Sequence, residues 1–125
     1  HKNVERVIYP TLHKGDLAAR AKKYFKDGNG ALVGIEVKGG VEAGKKFIES
    51  LKMFYHVANI GDARSLAIHP ATTTHSQLTP EELLAAGVTP GYVRLSIGIE
   101  HPDDIIEDLN QALESSGKPS LKAVG

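Results

Sequence analysis

An arginine inside an alternating apolar segment is the side chain of this sequence best suited to chemistry. Arg94 lies between Val93 and Leu95, and Ser96 shares its side of an extended chain, because successive side chains of a strand point to opposite faces. A guanidinium presented from a rigid strand can bind a carboxylate through two parallel hydrogen bonds. The residues alone leave two interpretations open, a carboxylate-binding site or an arginine in an exposed ion pair.

A glycine-rich segment nearly matches the phosphate-binding loop of nucleotide-binding proteins. It reads GGVEAGKK over residues 39–46, and it follows a predicted strand and opens a predicted helix, as that motif requires. The match fails at its last position, where Lys46 replaces the hydroxyl that would hold magnesium, and Glu42 would place a negative charge among the phosphates. We therefore interpret the segment as a glycine turn followed by a solvated helix face.

The six histidines form no recognisable metal-binding pattern. His69 and His75 are six residues apart, and no pair has the i, i+4 spacing that places two imidazoles on one helix face. A G-x-S-x-G nucleophile motif is also absent from the sequence. The histidines are predicted to lie in loops or at the surface, and no metal site or hydrolase chemistry is expected.

Composition narrows the class of protein further. The 125 residues are 41% hydrophobic and carry no formal net charge, which favours one folded domain over residues 1–125 and disfavours a nucleic acid as partner. The sequence has no cysteine, so disulfides are excluded and a reducing, cytoplasmic location is expected. No apolar run approaches the roughly 20 residues of a membrane-spanning helix, and no membrane association is expected.

Strand-like and helix-like segments alternate along the chain and would position Arg94 in a sheet. Strands are predicted over residues 4–9, 31–37, 54–60, 65–68 and 93–97, and helices over 17–25, 41–51, 80–86 and 102–115. The first helix carries apolar residues at helical spacing, among them Leu17, Tyr24 and Phe25. The apolar stripe of the last helix, which includes Ile106, is expected to face the core. Alternation indicates a layered α/β sandwich and by itself favours parallel strands. The tail over residues 115–125 is predicted to be frayed.

Three segments resemble the Cys/Met-metabolism family of pyridoxal-phosphate enzymes. They read EVKGGVEAGKKFIESLKMF over Glu36–Phe54, NIGDARSLAIHPATTTHSQL over Asn59–Leu78 and AAGVTPGYVRLSIGIEHPDDIIEDLNQAL over Ala85–Leu113. Within that family the chain is most similar to the O-acetylhomoserine sulfhydrylases. The resemblance covers nearly the whole chain, and the order and spacing of the HPA..TTH and VRLS.GIE motifs are highly specific.

The resemblance implies a fold and a set of site residues. The fold is the C-terminal domain of the aspartate-aminotransferase type, an α+β domain with a small, mostly antiparallel sheet and helices on one side. Arg94 of the VRLS motif is implied to bind the α-carboxylate of an amino-acid substrate. Asn59 is implied to lie beside the cofactor and help hold the same group, and Thr74 to border the same pocket. The chain shows no recognisable Schiff-base lysine motif, so pyridoxal phosphate is expected to be held by a larger N-terminal domain.

The implied reaction replaces the acetoxy group of O-acetyl-L-homoserine by sulfide or methanethiol, a transferase step of methionine biosynthesis. Ala58 stands where relatives that handle cystathionine often have a glutamate, which is consistent with a small nucleophile. The alternatives are a stand-alone amino-acid-binding regulatory module and another transsulfuration enzyme such as cystathionine gamma-synthase. The resemblance also implies a homotetramer. The isolated chain is expected to be inactive and to self-associate.

Overall fold

The computed structural model describes residues 1–117, which contain five strands and four α-helices. The strands are β1 (Val4–Ile8), β2 (Leu32–Val37), β3 (Tyr55–His56), β4 (Leu66–Ile68) and β5 (Tyr92–Ser96). The helices are α1 (Gly15–Tyr24), α2 (Gly40–Ser50), α3 (Pro80–Ala85) and α4 (Pro102–Ser116). Two single 3-10 turns lie at Pro10–Leu12 and Pro70–Thr72. No helix within the described residues is long and apolar enough to cross a membrane.

The five strands form one mixed sheet in the order β1-β2-β5-β4-β3. Three neighbouring pairs are antiparallel and only β3 and β4 run parallel. The α+β fold with a mostly antiparallel sheet is therefore confirmed, and the parallel arrangement favoured by alternation alone is wrong. A parallel β1–β2 pair would need α1 to cross one face of the sheet, but α1 contacts the 3-10 turn at Pro10–Leu12 and buries none of its residues.

The core lies between one face of the sheet and the helices α2 and α4. Val93 and Leu95 of β5 are 0% and 2% exposed, and they meet Phe47 of α2 and Ala112 of α4, both at 0%. The two-residue period of β5 and the apolar stripe of α2 thus produce the packing expected from them. Because Val93 and Leu95 point into this core, the side chain of Arg94 emerges on the opposite face of the sheet.

A buried carboxylate fastens α4 to the turn between α2 and β3. Asp108 accepts hydrogen bonds from the backbone amides of Lys52 at 2.9 Å, Met53 at 2.9 Å and Phe54 at 3.3 Å, and Gln111 adds a fourth donor at 2.9 Å. Burial by itself would raise the pKa of Asp108, but these donors hold that pKa below its ordinary value. The charged carboxylate therefore fixes the start of the segment that continues through β3.

Two predicted apolar helix stripes lie partly at the surface. In α1, Leu17 is 53%, Tyr24 71% and Phe25, at its end, 46% exposed. In α4, Ile106 is 54% exposed, whereas Ile105 and Leu113 are buried. The exposure of Ile106 corrects the prediction for the last helix, because helical periodicity identifies an apolar face without identifying the element that covers it.

Two predicted boundaries also differ from the structure. The strand predicted over residues 54–60 is reduced to Tyr55–His56, so Asn59 lies in the loop that follows it. Helix α4 extends to Ser116, and the tail predicted to fray from residue 115 is helical at its first two positions. Residues 118–125 of that tail lie outside the described residues.

Candidate carboxylate-binding site

The candidate site is built on β5, the central strand of the sheet. Arg94 pairs in register with Gly34 of β2 on one side and Ile68 of β4 on the other. Because β5 is hydrogen-bonded along both edges, the backbone that carries Arg94 is held rigidly. The guanidinium is therefore presented from a fixed position on the face that α2 and α4 leave uncovered.

Arg94 lines an open cleft of about 410 Å³. The cleft is lined by strand residues, by Ala58 of the loop after β3, and by two segments, one after β4 and one after α3, which are called its walls below. The lining residues are Ile8, Ala58, Ile68, Pro70, Thr74, His75, Ala86, Gly87, Val88, Tyr92 and Arg94. The lining combines apolar side chains with the polar groups of Thr74, His75, Tyr92 and Arg94, and such convergent polar groups can orient a small ligand.

One nitrogen of the Arg94 guanidinium has a hydrogen-bond partner, and another has none. Its Nη2 donates to the backbone oxygen of Asn59 at 3.0 Å. Its Nε is buried and has no hydrogen-bond partner, the one buried side-chain polar atom of residues 1–117 in that state. A buried donor without an acceptor costs about 1–3 kcal/mol. Within the described chain Arg94 makes no ion pair, so the structure does not show the surface ion pair left open by the sequence.

The structure brings the three predicted site residues together in different ways. Thr74 lines the cleft with Arg94, and its hydroxyl lies 2.8 Å from Nδ1 of His75. Asn59 contributes its backbone oxygen to Arg94, while its side-chain oxygen accepts from the amide of Ile60 at 2.9 Å. Asn59 therefore orients the guanidinium through its backbone oxygen, and its side chain is hydrogen-bonded within the loop to the next residue.

One neighbour of Arg94 on the cleft was not predicted from the sequence. Tyr92 lies two residues before Arg94 on the same strand face and lines the cleft. A Cβ atom added to Gly34 would come within 2.7 Å of its ring, so only a glycine there leaves room for the phenol. Burial raises the pKa of Tyr92, and the positive charge of Arg94 opposes that rise. The two-residue period that identified Ser96 could have identified Tyr92, whereas Ser96 is buried and does not line the cleft.

The sequence also missed a fully buried histidine. His69 is 0% exposed and uses both ring nitrogens, which corrects the expectation that the histidines lie in loops or at the surface. The ring packs on Gly44, a residue of the segment that nearly matches a phosphate loop, and this contact gives that glycine a packing role. Within residues 1–117, no three histidine or acidic side chains are grouped so that they could hold a metal ion.

The fold and the cleft define the class of protein: a small α+β domain that presents one arginine from its central strand into an open cleft with both polar and apolar lining. Residues 1–114 match the family described as Cys/Met metabolism PLP-dependent enzymes, and the chain belongs to that family. The cofactor of this family is pyridoxal phosphate. No lysine lines the cleft, so the cleft offers an arginine to a ligand carboxylate but no amine to the cofactor.

Individual relatives support the assignment. The chain is 58% identical over 116 residues to an O-acetyl-L-homoserine sulfhydrylase of Leptospira meyeri, covering 92% of this chain and 26% of that protein. It is 48% identical to an L-methionine gamma-lyase of Fusobacterium nucleatum subsp. polymorphum, over 91% of this chain and 29% of that one.

A solved structure described as an O-acetylhomoserine (thiol)-lyase of Campylobacter jejuni superposes with a TM-score of 0.82 at 45% identity. It carries N'-pyridoxyl-lysine-5'-monophosphate, and the match covers 92% of this chain and 27% of that one. The chain thus spans about a quarter of the length of the relatives it matches.

Proposed function

We propose that this chain is the C-terminal, substrate-carboxylate-binding domain of a pyridoxal-phosphate-dependent sulfhydrylase. The intact enzyme would convert O-acetyl-L-homoserine and sulfide, or methanethiol, to homocysteine or methionine and acetate. The observation that carries the proposal is the buried Nε of Arg94, which has no acceptor although Arg94 lines an open cleft. The relatives named as O-acetyl-L-homoserine sulfhydrylases support the choice of reaction in this proposal.

In this proposal Arg94 binds the α-carboxylate of the amino-acid substrate. The bond from Nη2 to the Asn59 oxygen fixes the plane of the guanidinium before the ligand arrives. A carboxylate that enters the cleft can then pair with the guanidinium, and a small shift of the side chain would let the buried Nε donate to it, which removes the cost of a buried donor without a partner. Thr74 borders the same space with a hydroxyl that can donate to a second ligand atom. The domain thus orients the substrate.

The lining of the cleft supports a small nucleophile. Ala58 contributes only a methyl group to it, at the position where cystathionine-handling relatives often have a glutamate. Without that carboxylate, a second ammonium group would enter the cleft with no charged partner and would lose its hydration. Sulfide and methanethiol carry no such group. We therefore favour sulfhydrylation over cystathionine formation as the reaction of the intact enzyme.

Substitution of Arg94 in the intact enzyme tests the proposal. Arg94→Gln removes the positive charge and the paired N–H donors of the guanidinium. As a result, kcat/KM for O-acetyl-L-homoserine should fall by about 100-fold, because a charge-assisted pair contributes roughly 3 kcal/mol. The visible spectrum of the bound cofactor should be unchanged. Arg64→Gln is the matched control, because Arg64 is exposed and does not line the cleft. Its guanidinium lies 4.6 Å from the centre of the Tyr55 ring. An Arg94→Gln enzyme with undiminished kcat/KM would contradict the assignment.

The lyase relatives provide a second candidate function. An enzyme of this family named L-methionine gamma-lyase is 48% identical to this chain, so elimination from methionine competes with sulfhydrylation as the reaction. Assaying the intact enzyme with L-methionine alone, and then with O-acetyl-L-homoserine plus sulfide, separates the two. We expect turnover of the second pair to exceed that of methionine by at least about tenfold; the reverse order would favour the lyase.

The isolated chain offers a further test against a stand-alone amino-acid-binding module. Calorimetry with O-acetylhomoserine, homocysteine and methionine should show weak binding, because an open cleft with one arginine leaves most of each ligand in water. Mixing the chain with pyridoxal phosphate should give no absorbance band that resists dialysis. Micromolar binding of one amino acid by the isolated chain would favour the regulatory module.

We also propose that an N-terminal portion of a cytoplasmic, oligomeric enzyme supplies the cofactor site and covers the apolar stripe of α1. The length of the relatives, about four times the span matched here, supports a large additional portion. The exposed side chains Leu17, Tyr24 and Phe25 explain why the chain alone should self-associate. Sedimentation at high concentration tests that expectation, and a monodisperse monomer would contradict it.

A further inference from the structure

We propose that His69 is a positioning residue that sets the spacing between the two walls of the cleft and thereby the placement of Thr74 relative to Arg94. The inference rests on the proposed function, because it assigns His69 a part in binding the same substrate carboxylate. His69 touches neither Arg94 nor the cleft surface, so it would act through the segments it joins.

The two ring nitrogens of His69 bind residues of the two segments that carry the cleft walls. Nε2 lies 2.8 Å from the carbonyl oxygen of Pro90, and because a carbonyl can only accept, Nε2 carries the proton. Nδ1 is then an acceptor, and the hydroxyl of Thr72 lies 2.9 Å from it. Thr72 closes the 3-10 turn that leads directly to Thr74. Pro90 lies between the wall residue Val88 and the start of β5. The imidazole therefore bridges the segments that carry both walls.

Backbone geometry transmits the position of this imidazole to Thr74. The carbonyl oxygen of His69 accepts from the hydroxyl of Thr73 at 2.8 Å, and the amide of His75 donates to the carbonyl of Pro70 at 3.0 Å. Thr74 is thus enclosed on both sides by residues bound to the same short turn. A shift of the ring would move this turn as a unit.

The ring cannot retreat from the bridge, because α2 closes the space behind it. A Cβ atom on Gly44 would lie 2.6 Å from Nε2 and 2.9 Å from Cδ2 of His69, which means that the helix backbone is in direct contact with the imidazole. His69 is 0% exposed. The ring is therefore a fixed spacer between α2 and the two walls.

The ring also keeps the protonation state that the bridge needs. Burial lowers the pKa of His69, although the carbonyl of Pro90 and the carboxylate of Glu36 oppose that effect and His56 reinforces it. The imidazole is therefore neutral at neutral pH, and Nδ1 remains an acceptor for Thr72.

Conservative variants of the intact enzyme separate positioning from mere packing. His69→Gln can place an amide NH near the position of Nε2 and keep the bond to Pro90, whereas His69→Phe keeps the bulk and loses both bonds. Thr72→Val removes the donor to Nδ1, and Thr72→Ser keeps it. We expect the Phe and Val variants to raise KM for O-acetyl-L-homoserine about tenfold with kcat changed by less than about threefold, and the Gln and Ser variants to stay within about threefold of the parent.

A double variant distinguishes failure of this inference from failure of the proposed function. When Thr72→Val is added to Arg94→Gln, KM should not rise further, because the wall spacing matters only while Arg94 binds the carboxylate. A normal KM for Arg94→Gln alone would overturn the proposed function. A raised KM for Arg94→Gln together with a parental KM for Thr72→Val and His69→Phe would overturn the role of His69. An undiminished effect of Thr72→Val in the Arg94→Gln background would overturn it as well. Thr72 is half-buried, which keeps the test valid if His69→Phe fails to fold.

Discussion

Replacing Asp108 with alanine is expected to lower the free energy of unfolding of this chain by about 3 kcal/mol. Asp108 is 6% exposed and is the acceptor for three successive backbone amides of the turn before β3. Alanine offers none of these amides a partner. The turn that they belong to leads, through β3, to the loop whose backbone oxygen orients Arg94.

The magnitude follows from how far water can reach each amide. Lys52 is exposed, so water can replace its lost acceptor, whereas Phe54 is buried and Met53 is half-buried. One buried and one half-buried donor without acceptors, at about 1–2 kcal/mol each, give the total of about 3 kcal/mol. Asp108→Asn should cost about half as much. Its oxygen can serve Met53 and Phe54, which share Oδ2, but its amide group would face the donors of Lys52 and Gln111 that bind Oδ1.

Urea unfolding of the 125-residue chain followed by circular dichroism measures these losses as a lower midpoint at an unchanged slope. Glu107→Ala is the control, because Glu107 is the exposed neighbour of Asp108 in the same helix and should change stability by less than about 0.5 kcal/mol. A loss of 3 kcal/mol also corresponds to a drop of roughly 10 °C in the midpoint of thermal unfolding.

The pH dependence provides an independent check with a defined sign. The pKa of Asp108 is lowered in the folded chain, so its stabilisation is fully present above the unfolded pKa of about 3.9 and is lost as pH falls through the folded pKa. The stability difference between the parent and Asp108→Asn should therefore shrink between pH 7 and pH 3. Losses below about 1 kcal/mol for Asp108→Ala, or a difference that stays constant on acidification, would refute the reasoning.

Two further substitutions test other contacts. Gly44→Ala should destabilise the chain by about 1–3 kcal/mol in the same urea experiment, because the new methyl would lie 2.6 Å from an imidazole nitrogen of His69. The same change ordinarily stabilises a helix interior by about 1 kcal/mol. A stabilised variant would therefore contradict the packing of His69 on Gly44. Glu100→Gln should cost about 1 kcal/mol at pH 7, since Glu100 is half-buried and accepts from the amide and hydroxyl of Ser65 at 2.7 and 2.8 Å. Burial by itself would raise the pKa of Glu100, but the hydrogen bonds from Ser65 and the charge of Arg64 together lower it, so that cost should vanish as pH falls through the folded pKa.

Local patterns predicted much of the secondary structure. The capping box at Thr79 and Glu82 is present with both of its hydrogen bonds, so α3 begins where the sequence indicates. The alternation of Val93, Arg94 and Leu95 placed β5 and the face from which the guanidinium emerges. These features depend on residues only a few positions apart, which is why the sequence was sufficient for them.

The features that were not predicted depend on contacts distant in sequence. The burial of His69 requires Pro90, 21 residues away, and the backbone of α2. The shortened β3 follows from its place at the sheet edge, where only β4 pairs with it. Strand direction likewise required knowledge that α1 does not cross the sheet. Apolar periodicity shows that Leu17 and Phe25 share a helix face, but no local rule identifies what that face contacts.

The strand order has a consequence for how the domain is made. Strand β5 is the last in the sequence yet joins β2 to β4 at the centre of the sheet. During synthesis, β1 and β2 can pair early as an isolated ribbon, and β3 and β4 can meet as a second small unit, but neither ribbon gains its second partner before residue 96 leaves the ribosome. Nascent chains that end before β5 should therefore stay open and depend on chaperones, because two-stranded ribbons are marginally stable in water.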